Sequence, residues 1–166
     1  MSSETLKATT ELEVHDVFNQ WLKAARAKNL DAILACYADD VIAYDAILKL
    51  QFKGLDAYGQ HWRYCMELCA GDGIFEPAEP TIHADTSVAF VHCLIRCGGE
   101  QDGVVKTSWM RGTQGYVKRG GTWKIVHEHF SAPFDMESGN ALFDLQPLPR
   151  TRLRPVGWAS ATDRDT

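Results

Sequence analysis

The sequence predicts a single-domain α+β fold in which three N-terminal helices lie on one face of a curved antiparallel sheet. The 166 residues provide material for one hydrophobic core. Apolar residues recur at helical spacing in the first half of the chain and alternate in the second half, and this order is typical of α+β proteins. We expect residues 1–9 to be disordered, residues 10–136 to form the domain, and residues 137–166 to form an irregular extension rich in proline and arginine.

Three segments have the apolar spacing of helices. Thr10 and Glu13 form a capping-box pattern, which predicts that a helix of about 17 residues begins there. Asn29 precedes a second, short amphipathic segment and is a suitable N-cap for it. The third helix is predicted from the apolar spacing of Leu55, Tyr58, Trp62, Cys65, Met66 and Cys69.

Four strands are predicted from alternation, over residues 76–84, 87–97, 104–117 and 123–132. Gly120-Gly121 is a two-residue turn signal and sets the pairing of the last two strands, with Thr113 opposite Glu128. On that register one face carries Trp109, Arg111, Thr113, Glu128 and Phe130, and the other carries Gly112, Gln114, Tyr116, Ile125, His127 and His129. A bulge at Gly112 or Gly115 would exchange part of these faces.

Composition and charge exclude several classes of protein. The net charge of -5 leaves no basic face for phosphates, so nucleic acid is not an expected partner. No apolar run approaches the roughly 18 residues of a membrane span, so we expect no membrane partner. The polar N-terminus is unlike a signal peptide, and five cysteines without an export signal indicate reduced thiols, so we expect a cytoplasmic protein.

Three segments together resemble a known superfamily. They are CYADDVIAYDAILKLQFKGLDAYGQHW, the preceding WLKAARAKNLDAI, and GGTWKIVHEHFSAPF near the end of the domain. They are similar to the nuclear-transport-factor-2-like (NTF2-like) superfamily, in particular its ketosteroid-isomerase-like and SnoaL-like branch, over roughly residues 10–136. The resemblance implies a cone-shaped, cystatin-like α+β roll: a curved sheet around a helix, an apolar pocket inside, and a homodimer through the outer sheet face. It also suggests that the face bearing Trp109 and Glu128 lines the pocket.

The resemblance implies roles for particular residues. The catalytic base of the isomerase falls on Asp45, and its two oxyanion donors, a tyrosine and a protonated aspartic acid, fall on Trp21 and Thr113. In ketosteroid isomerase that tyrosine and acid together form the oxyanion hole, and both donors are replaced here. The sequence therefore keeps the base position and disfavours steroid isomerisation itself.

Asp45 would be a better base if its pocket excludes water, although an aspartate after a strand is often only a loop cap. Glu128 is predicted to point inward and to need a partner, for which Arg111 is the candidate, either as a structural ion pair or as a clamp for an acidic substrate group. His61 corresponds to a pocket-facing position and is the preferred histidine for acid–base work, the alternative being a solvent-facing helical histidine. The expected substrate-binding residues are Trp21, Trp62, Trp109, Arg111, Thr113 and Phe130.

No cofactor or metal is expected. His127 and His129 have a usable metal-ligand spacing, but the predicted register points them away from the pocket and no third ligand accompanies them.

Three hypotheses of function remain open. The chain is an isomerase, dehydratase or cyclase that moves a proton on a small hydrophobic carbonyl or hydroxyl compound, with Asp45 as the base. Alternatively, it is a domain that binds such a compound without turnover. The third hypothesis is an oligomeric association domain similar to that of calcium/calmodulin-dependent kinase II.

Overall fold

A computed structural model describes residues 3–68 and 70–149. It is an α+β fold with three helices and a curved sheet, as the sequence predicts, and the sheet has six strands rather than the four that alternation indicates. The helices are α1 (Ser3–Arg26), α2 (Leu30–Leu34) and α3 (Leu55–Glu67), and the strands are β1 (Tyr37–Tyr44), β2 (Phe52–Lys53), β3 (Ala70–Ala84), β4 (Val88–Gln101), β5 (Val104–Arg119) and β6 (Thr122–Ser131).

The sheet has the strand order β2-β1-β6-β5-β4-β3 and is not purely antiparallel. Strand β1 pairs with β6 in parallel, whereas the sequence predicts an antiparallel meander. The segment Tyr37–Asp40 is the first half of β1, although no strand is predicted from the sequence before residue 76. In the second half of β1, buried Val41 and Ala43 alternate with exposed Ile42 and Tyr44, which is the pattern of a strand with one covered face.

Helix α1 begins earlier than the capping box indicates. It starts at Ser3, so the described part of residues 1–9 is helical rather than disordered. The Thr10 hydroxyl donates to the Leu6 carbonyl oxygen at 2.9 Å, so it bonds within the helix and does not cap it. The short helix α2 follows the prediction, because the Asn29 side chain accepts a hydrogen bond from the Ala32 amide at 3.0 Å.

The hairpin of β5 and β6 keeps the predicted register only near its turn. Lys118 lies opposite Trp123 as predicted, but the register shifts between Tyr116/Ile125 and Gly115/His127. Val126 is the additional residue of this bulge, and beyond it every pairing moves by one residue, so that Gln114 rather than Thr113 lies opposite Glu128.

The core lies between the inner sheet face and the helices. Trp21 of α1 is at its centre and packs against Phe18, Trp62, Phe75 and Phe130 with ring centroids 6.0 to 6.2 Å apart. Burial of these large aromatic side chains is a major contribution to the hydrophobic free energy that stabilises the fold.

The described part of the C-terminal extension has no helix or strand after β6. One isolated bridge joins Phe134 to Ala141, and residues 137–149 continue irregularly. The basic arginine-rich run begins at residue 150 and lies outside the described residues. None of the described helices is long and apolar enough to cross a membrane.

Gly98 marks a close approach of two strands rather than the hairpin turn that its sequence context suggests. It lies within β4, and a Cβ atom added there would be 2.0 Å from the main-chain oxygen of Lys106 on β5. The turn is formed instead by Asp102 and Gly103, both at positive φ.

Gly98→Ala should therefore destabilise the fold by about 2 kcal/mol or more, because the main chain must move to admit the methyl group. Gly115→Ala is the matched control on β5, since a Cβ there meets only ordinary contacts at 3.6 Å and beyond. Urea unfolding of both variants measures the difference. An equal effect of the two substitutions would contradict the close approach.

Candidate functional site

An apolar pocket of about 90 Å³ lies inside the curved sheet, beneath α3. Helix α3 supplies its His61, Trp62 and Cys65, and the turn after β1 supplies Asp45 and Ile47. Four inward residues of the sheet complete the lining: Phe75, Cys97, Met110 and Phe130. Asp45 and His61 are thus the polar groups on an otherwise apolar wall that also contains two thiols.

Asp45 follows the last residue of β1 and divides its two carboxylate oxygens between two tasks. Its Oδ1 accepts a hydrogen bond from the Ile47 amide at 3.0 Å and so caps the turn. Its Oδ2 lies 3.3 Å from His61 Nε2 and 3.5 Å from the Tyr58 hydroxyl. The loop-cap interpretation and the pocket interpretation of this residue therefore describe different oxygens of one side chain.

His61 is buried, in contrast to the solvent-facing alternative. Its side chain is 3% exposed, and that of Asp45 is 12% exposed, so water has little access to the pair. The ring stacks on Phe52 with centroids 4.2 Å apart, and Nε2 also lies 3.6 Å from Cys65 Sγ. These contacts fix the ring with Nε2 towards Asp45, where it can donate a proton to the carboxylate.

Glu128 points inward as predicted, but it does not pair with Arg111. Its carboxylate is fully buried and accepts from the Tyr37 hydroxyl at 2.8 Å, the Tyr58 hydroxyl at 2.5 Å and Gln114 Nε2 at 2.5 Å. Neutral donors therefore satisfy this carboxylate, and it lies behind the pocket lining rather than on it.

The donors around Glu128 are themselves held in place. Trp21 Nε1 donates to the Tyr37 oxygen at 2.8 Å, and the Tyr116 hydroxyl donates to Gln114 Oε1 at 2.5 Å. Every one of these hydrogen bonds runs towards the carboxylate. This directional order suits an ionised acceptor in a polar network that is closed to water.

Burial nevertheless makes ionisation of Glu128 costly. Desolvation raises the pKa of Glu128 to about 7, against the opposing effect of the hydrogen bonds from Tyr58, Gln114 and Tyr37, and the nearby Asp45 charge adds to the increase. Burial, followed by the Glu128 charge, raises the pKa of both Tyr37 and Tyr58 well above the usual range of a phenol. The two hydroxyls are therefore protonated, while Glu128 changes charge near neutral pH.

The predicted substrate-binding residues divide between the two sheet faces. Trp62 and Phe130 line the pocket, and Trp21 packs directly behind them. Trp109, Arg111 and Thr113 alternate with the inward residues of β5 and point away from the pocket, so their predicted inward position is wrong. The physical reason is the bulge at Val126, which places Gln114 inside.

Three polar residues of the site were not identified from the sequence as functional. Tyr58 is recognisable only as part of the apolar pattern of α3, and Tyr37 lies in β1, where no strand is predicted from the sequence. Gln114 lies one residue from Thr113, so a bulge-free register places it outside. Once the bulge places Arg111 outside, the inward Glu128 has no cation on its face, and this indicates that hydroxyl or amide donors surround it.

A second chamber of about 270 Å³ continues from the pocket towards solvent. The two share Ile47, Trp62, Cys65, Phe75, Cys97 and Met110 as lining residues. Phe143 of the C-terminal extension lies on the wall of this outer chamber. Part of residues 137–149 therefore contributes to the pocket rather than being only a solvated tail.

The outer sheet face carries histidines and exposed apolar residues. His83, His92, His127 and His129 all lie there, and Tyr116 and Ile125, which the sequence register assigns to that face, are buried inside instead. No cluster of three or more metal-ligating side chains occurs within residues 3–68 and 70–149.

Comparisons with known proteins agree with this geometry. A family model described as a SnoaL-like domain matches residues 14–135. An NTF2-like protein of unknown function from Pseudomonas putida is 46% identical to the chain, with a TM-score of 0.77, and the match covers 82% of this chain and 96% of that one.

More distant structures share the fold. A ketosteroid isomerase-like protein from Erwinia carotovora has 18% identity and a TM-score of 0.62, covering 73% of this chain and 94% of that one. An NTF2-like protein with a cystatin-like fold from Novosphingobium aromaticivorans has 12% identity and a TM-score of 0.62, with 80% and 87% covered. No curated protein matches the chain significantly.

The buried Glu128 carboxylate should make stability depend on pH. Because its pKa rises from 4.5 to about 7 on folding, the folded state binds this proton more tightly than the unfolded chain. The stabilisation is complete below pH 4.5 and is lost as the pH rises to about 7, by about 3 kcal/mol in total. Glu128→Gln, which has no such proton, should lack this loss.

Urea unfolding of the wild type and Glu128→Gln across this pH range measures the difference between them. Subtracting the two curves removes the contributions of other titrating groups. A constant difference across the range would show that Glu128 does not change charge there.

Proposed function

The chain belongs to the SnoaL-like domain family, and we propose that it is an enzyme that uses its own side chains to move a proton on a small hydrophobic carbonyl or hydroxyl compound. Isomerisation, dehydration and cyclisation are the reaction types that fit. The single observation that carries the proposal is the 3.3 Å contact between Asp45 Oδ2 and His61 Nε2 on the wall of an apolar pocket.

Asp45 is the proposed base. Its Oδ1 is held by the Ile47 amide, so Oδ2 is fixed in direction and available to take a proton from a carbon next to a carbonyl group. His61 Nε2 orients Oδ2 and provides a donor for an oxygen that becomes negative as the proton leaves. In an isomerisation, Asp45 then returns the proton to another carbon. In a dehydration, the hydroxyl group leaves as water with a proton from the imidazolium form of His61, and protonated Asp45 afterwards gives the abstracted proton to the neutral imidazole 3.3 Å away.

The dimensions of the pocket support a small reacting group. An inner chamber of about 90 Å³ is smaller than typical ligand sites of about 300 to 1,000 Å³, so it admits only the reacting end of a ligand. The outer chamber, which is continuous with it, accommodates an apolar remainder between Met66, Met110 and Phe143.

Steroid isomerisation is not proposed. The two positions that correspond to oxyanion donors are unsuitable, because the Trp21 indole N–H is bound to Tyr37 and Thr113 lies on the outer sheet face. The donor that lines the pocket beside Asp45 is His61. An imidazole donor differs from the tyrosine and protonated acid that form the oxyanion hole of ketosteroid isomerase.

We also propose a homodimer through the outer sheet face. Phe90 and Leu94 of β4 and Ile42 and Tyr44 of β1 are each between 37% and 45% exposed on this face, so it carries two apolar areas with β6 and β5 between them. A second copy of the same face is the proposed partner, because a two-fold axis lets one patch cover itself.

Asp45→Asn should abolish proton abstraction and leave ligand binding within a few fold, because the amide keeps the shape and the Ile47 hydrogen bond but is not a base. We expect a loss of at least about 100-fold. The measurement is deuterium incorporation next to the carbonyl of cyclohexanone or α-tetralone in deuterated water, followed by NMR. Asp39→Asn is the matched control, since Asp39 is an exposed carboxylate of β1.

Other results would redirect the proposal. Ligand binding without exchange in the wild type would favour the binding domain without turnover. Neither binding nor exchange, with large assemblies in solution, would favour the association domain. Equal exchange by Asp45→Asn and Asp39→Asn would remove Asp45 as the base.

Phe90→Asp should convert the dimer into a monomer in sedimentation velocity, since a charge would be buried at the contact. Leu12→Asp is the control, because Leu12 is 66% exposed on α1, away from the outer sheet face. A wild type that sediments as a monomer at every concentration would contradict the proposed interface.

A further inference from the structure

The Tyr58 hydroxyl lies between two carboxylates that belong to different parts of the molecule. It is 2.5 Å from Glu128 Oε1, which is fully buried, and 3.5 Å from Asp45 Oδ2, which lines the pocket. Tyr58 itself is fully buried on the inner side of α3. One rotatable hydroxyl therefore connects the pocket wall to a carboxylate that no ligand in the pocket touches.

We propose that Tyr58 relays protons between Asp45 and Glu128, so that Glu128 is a buried proton store behind the site. This inference rests on the proposed function of Asp45 as a base. In this relay Tyr58 and Glu128 are positioning residues that act through Asp45, because neither of them lines the pocket.

The hydrogen-bond network identifies Tyr58 as the group that can turn. A proton that Glu128 gains on Oε1 turns this oxygen into a donor, so one of the two hydroxyls that donate to Oε1 must accept from it instead. Tyr37 is held by the Trp21 indole, which donates to its oxygen at 2.8 Å. Tyr58 has a second acceptor within reach, Asp45 Oδ2, so its hydrogen can turn towards Asp45 while its oxygen accepts from the protonated Glu128.

The relay conserves atoms and charge. Protonated Asp45 gives its proton to the Tyr58 oxygen as Tyr58 gives its own proton to Glu128, so the O–H bonds at Asp45 and Tyr58 break while new ones form at Tyr58 and Glu128. The products are ionised Asp45, neutral Tyr58 and protonated Glu128. A base that has taken a proton from a substrate is thereby regenerated without water entering the pocket.

Proton storage near neutral pH agrees with the surroundings of Glu128, where burial raises its pKa to about 7. The titratable groups that face it are Tyr37 on β1, Asp45 after β1, Tyr58 on α3, Tyr116 on β5, and more distantly Cys36 before β1 and Cys97 on β4. Burial raises the pKa of both the Tyr116 hydroxyl and the Cys97 thiol, so neither of these two groups releases a proton in this range.

The chain provides a matched pair of variants. Tyr58→Phe and Tyr37→Phe each remove one hydroxyl that donates to Glu128 Oε1, but only Tyr58 also reaches Asp45. Each loss should raise the pKa of Glu128, because a donor to the ionised form is removed. Only the Tyr58 variant should separate Asp45 from Glu128.

The measurement is a pH titration of the side-chain carboxyl ¹³C resonances of Glu128 and Asp45 between about pH 5 and pH 9. In the wild type, the Asp45 resonance should show a step with the same midpoint as Glu128. In Tyr37→Phe the midpoint of the Asp45 step should shift together with the midpoint of the Glu128 titration, and the step should keep its size. In Tyr58→Phe it should fall to less than half of its size.

Three results would overturn the relay: an Asp45 step of unchanged size in Tyr58→Phe, an equal loss in both variants, or no titration of Glu128 in this range. Should Tyr58→Phe fail to fold, Glu128→Gln replaces it, and persistence of the Asp45 step in that variant would overturn the relay. A Tyr58-dependent step together with full exchange activity of Asp45→Asn would support the relay and overturn Asp45 as the base. A step that does not depend on Tyr58, together with loss of exchange in Asp45→Asn, would overturn the relay and leave Asp45 as the base.

Discussion

The buried carboxylate of Glu128 is the constraint on which the inner part of this structure depends. An ionised carboxylate removed from water is costly unless donors surround it, and here they come from three separate elements, β1, α3 and β5. Each donor must arrive within hydrogen-bond distance, so the relative positions of these elements are restricted. The second layer, Trp21 and Tyr116, extends that restriction to α1.

The same constraint shapes the candidate site. Tyr58 is fixed by Glu128 and therefore lies beside Asp45, while His61, one turn further along α3, reaches the same Asp45 oxygen. The rest of the pocket wall is apolar and gives water little access. Hydrogen bonds among the polar groups are therefore stronger there than in water. These contacts are the basis on which we propose acid–base chemistry on a hydrophobic compound.

Much of the fold follows from local signals. Asn29 caps α2, Gly120 and Gly121 form the last hairpin turn, and α3 begins at Leu55 as its apolar spacing indicates. Predictions failed where a local signal competes with packing. Gly98 resembles a turn residue but is needed for close approach of two strands, and Thr10 resembles a cap but lies inside a longer helix. Local patterns do not distinguish these cases because the deciding neighbours are distant in sequence.

The amino-acid sequence was sufficient to predict the fold class, the family, and the inward direction of Glu128. Asp45 and His61 could also be selected, because the family resemblance places them at the pocket. The residues that accompany them became evident only from the folded chain. A single additional residue in β6, Val126, reverses the alternation of side chains relative to β5, so Gln114 enters the core while Arg111 and Thr113 leave it. Successive side chains of a strand point to opposite faces of the sheet. One bulge, which the spacing of residues does not reveal, therefore moves every side chain beyond it to the face opposite the predicted one.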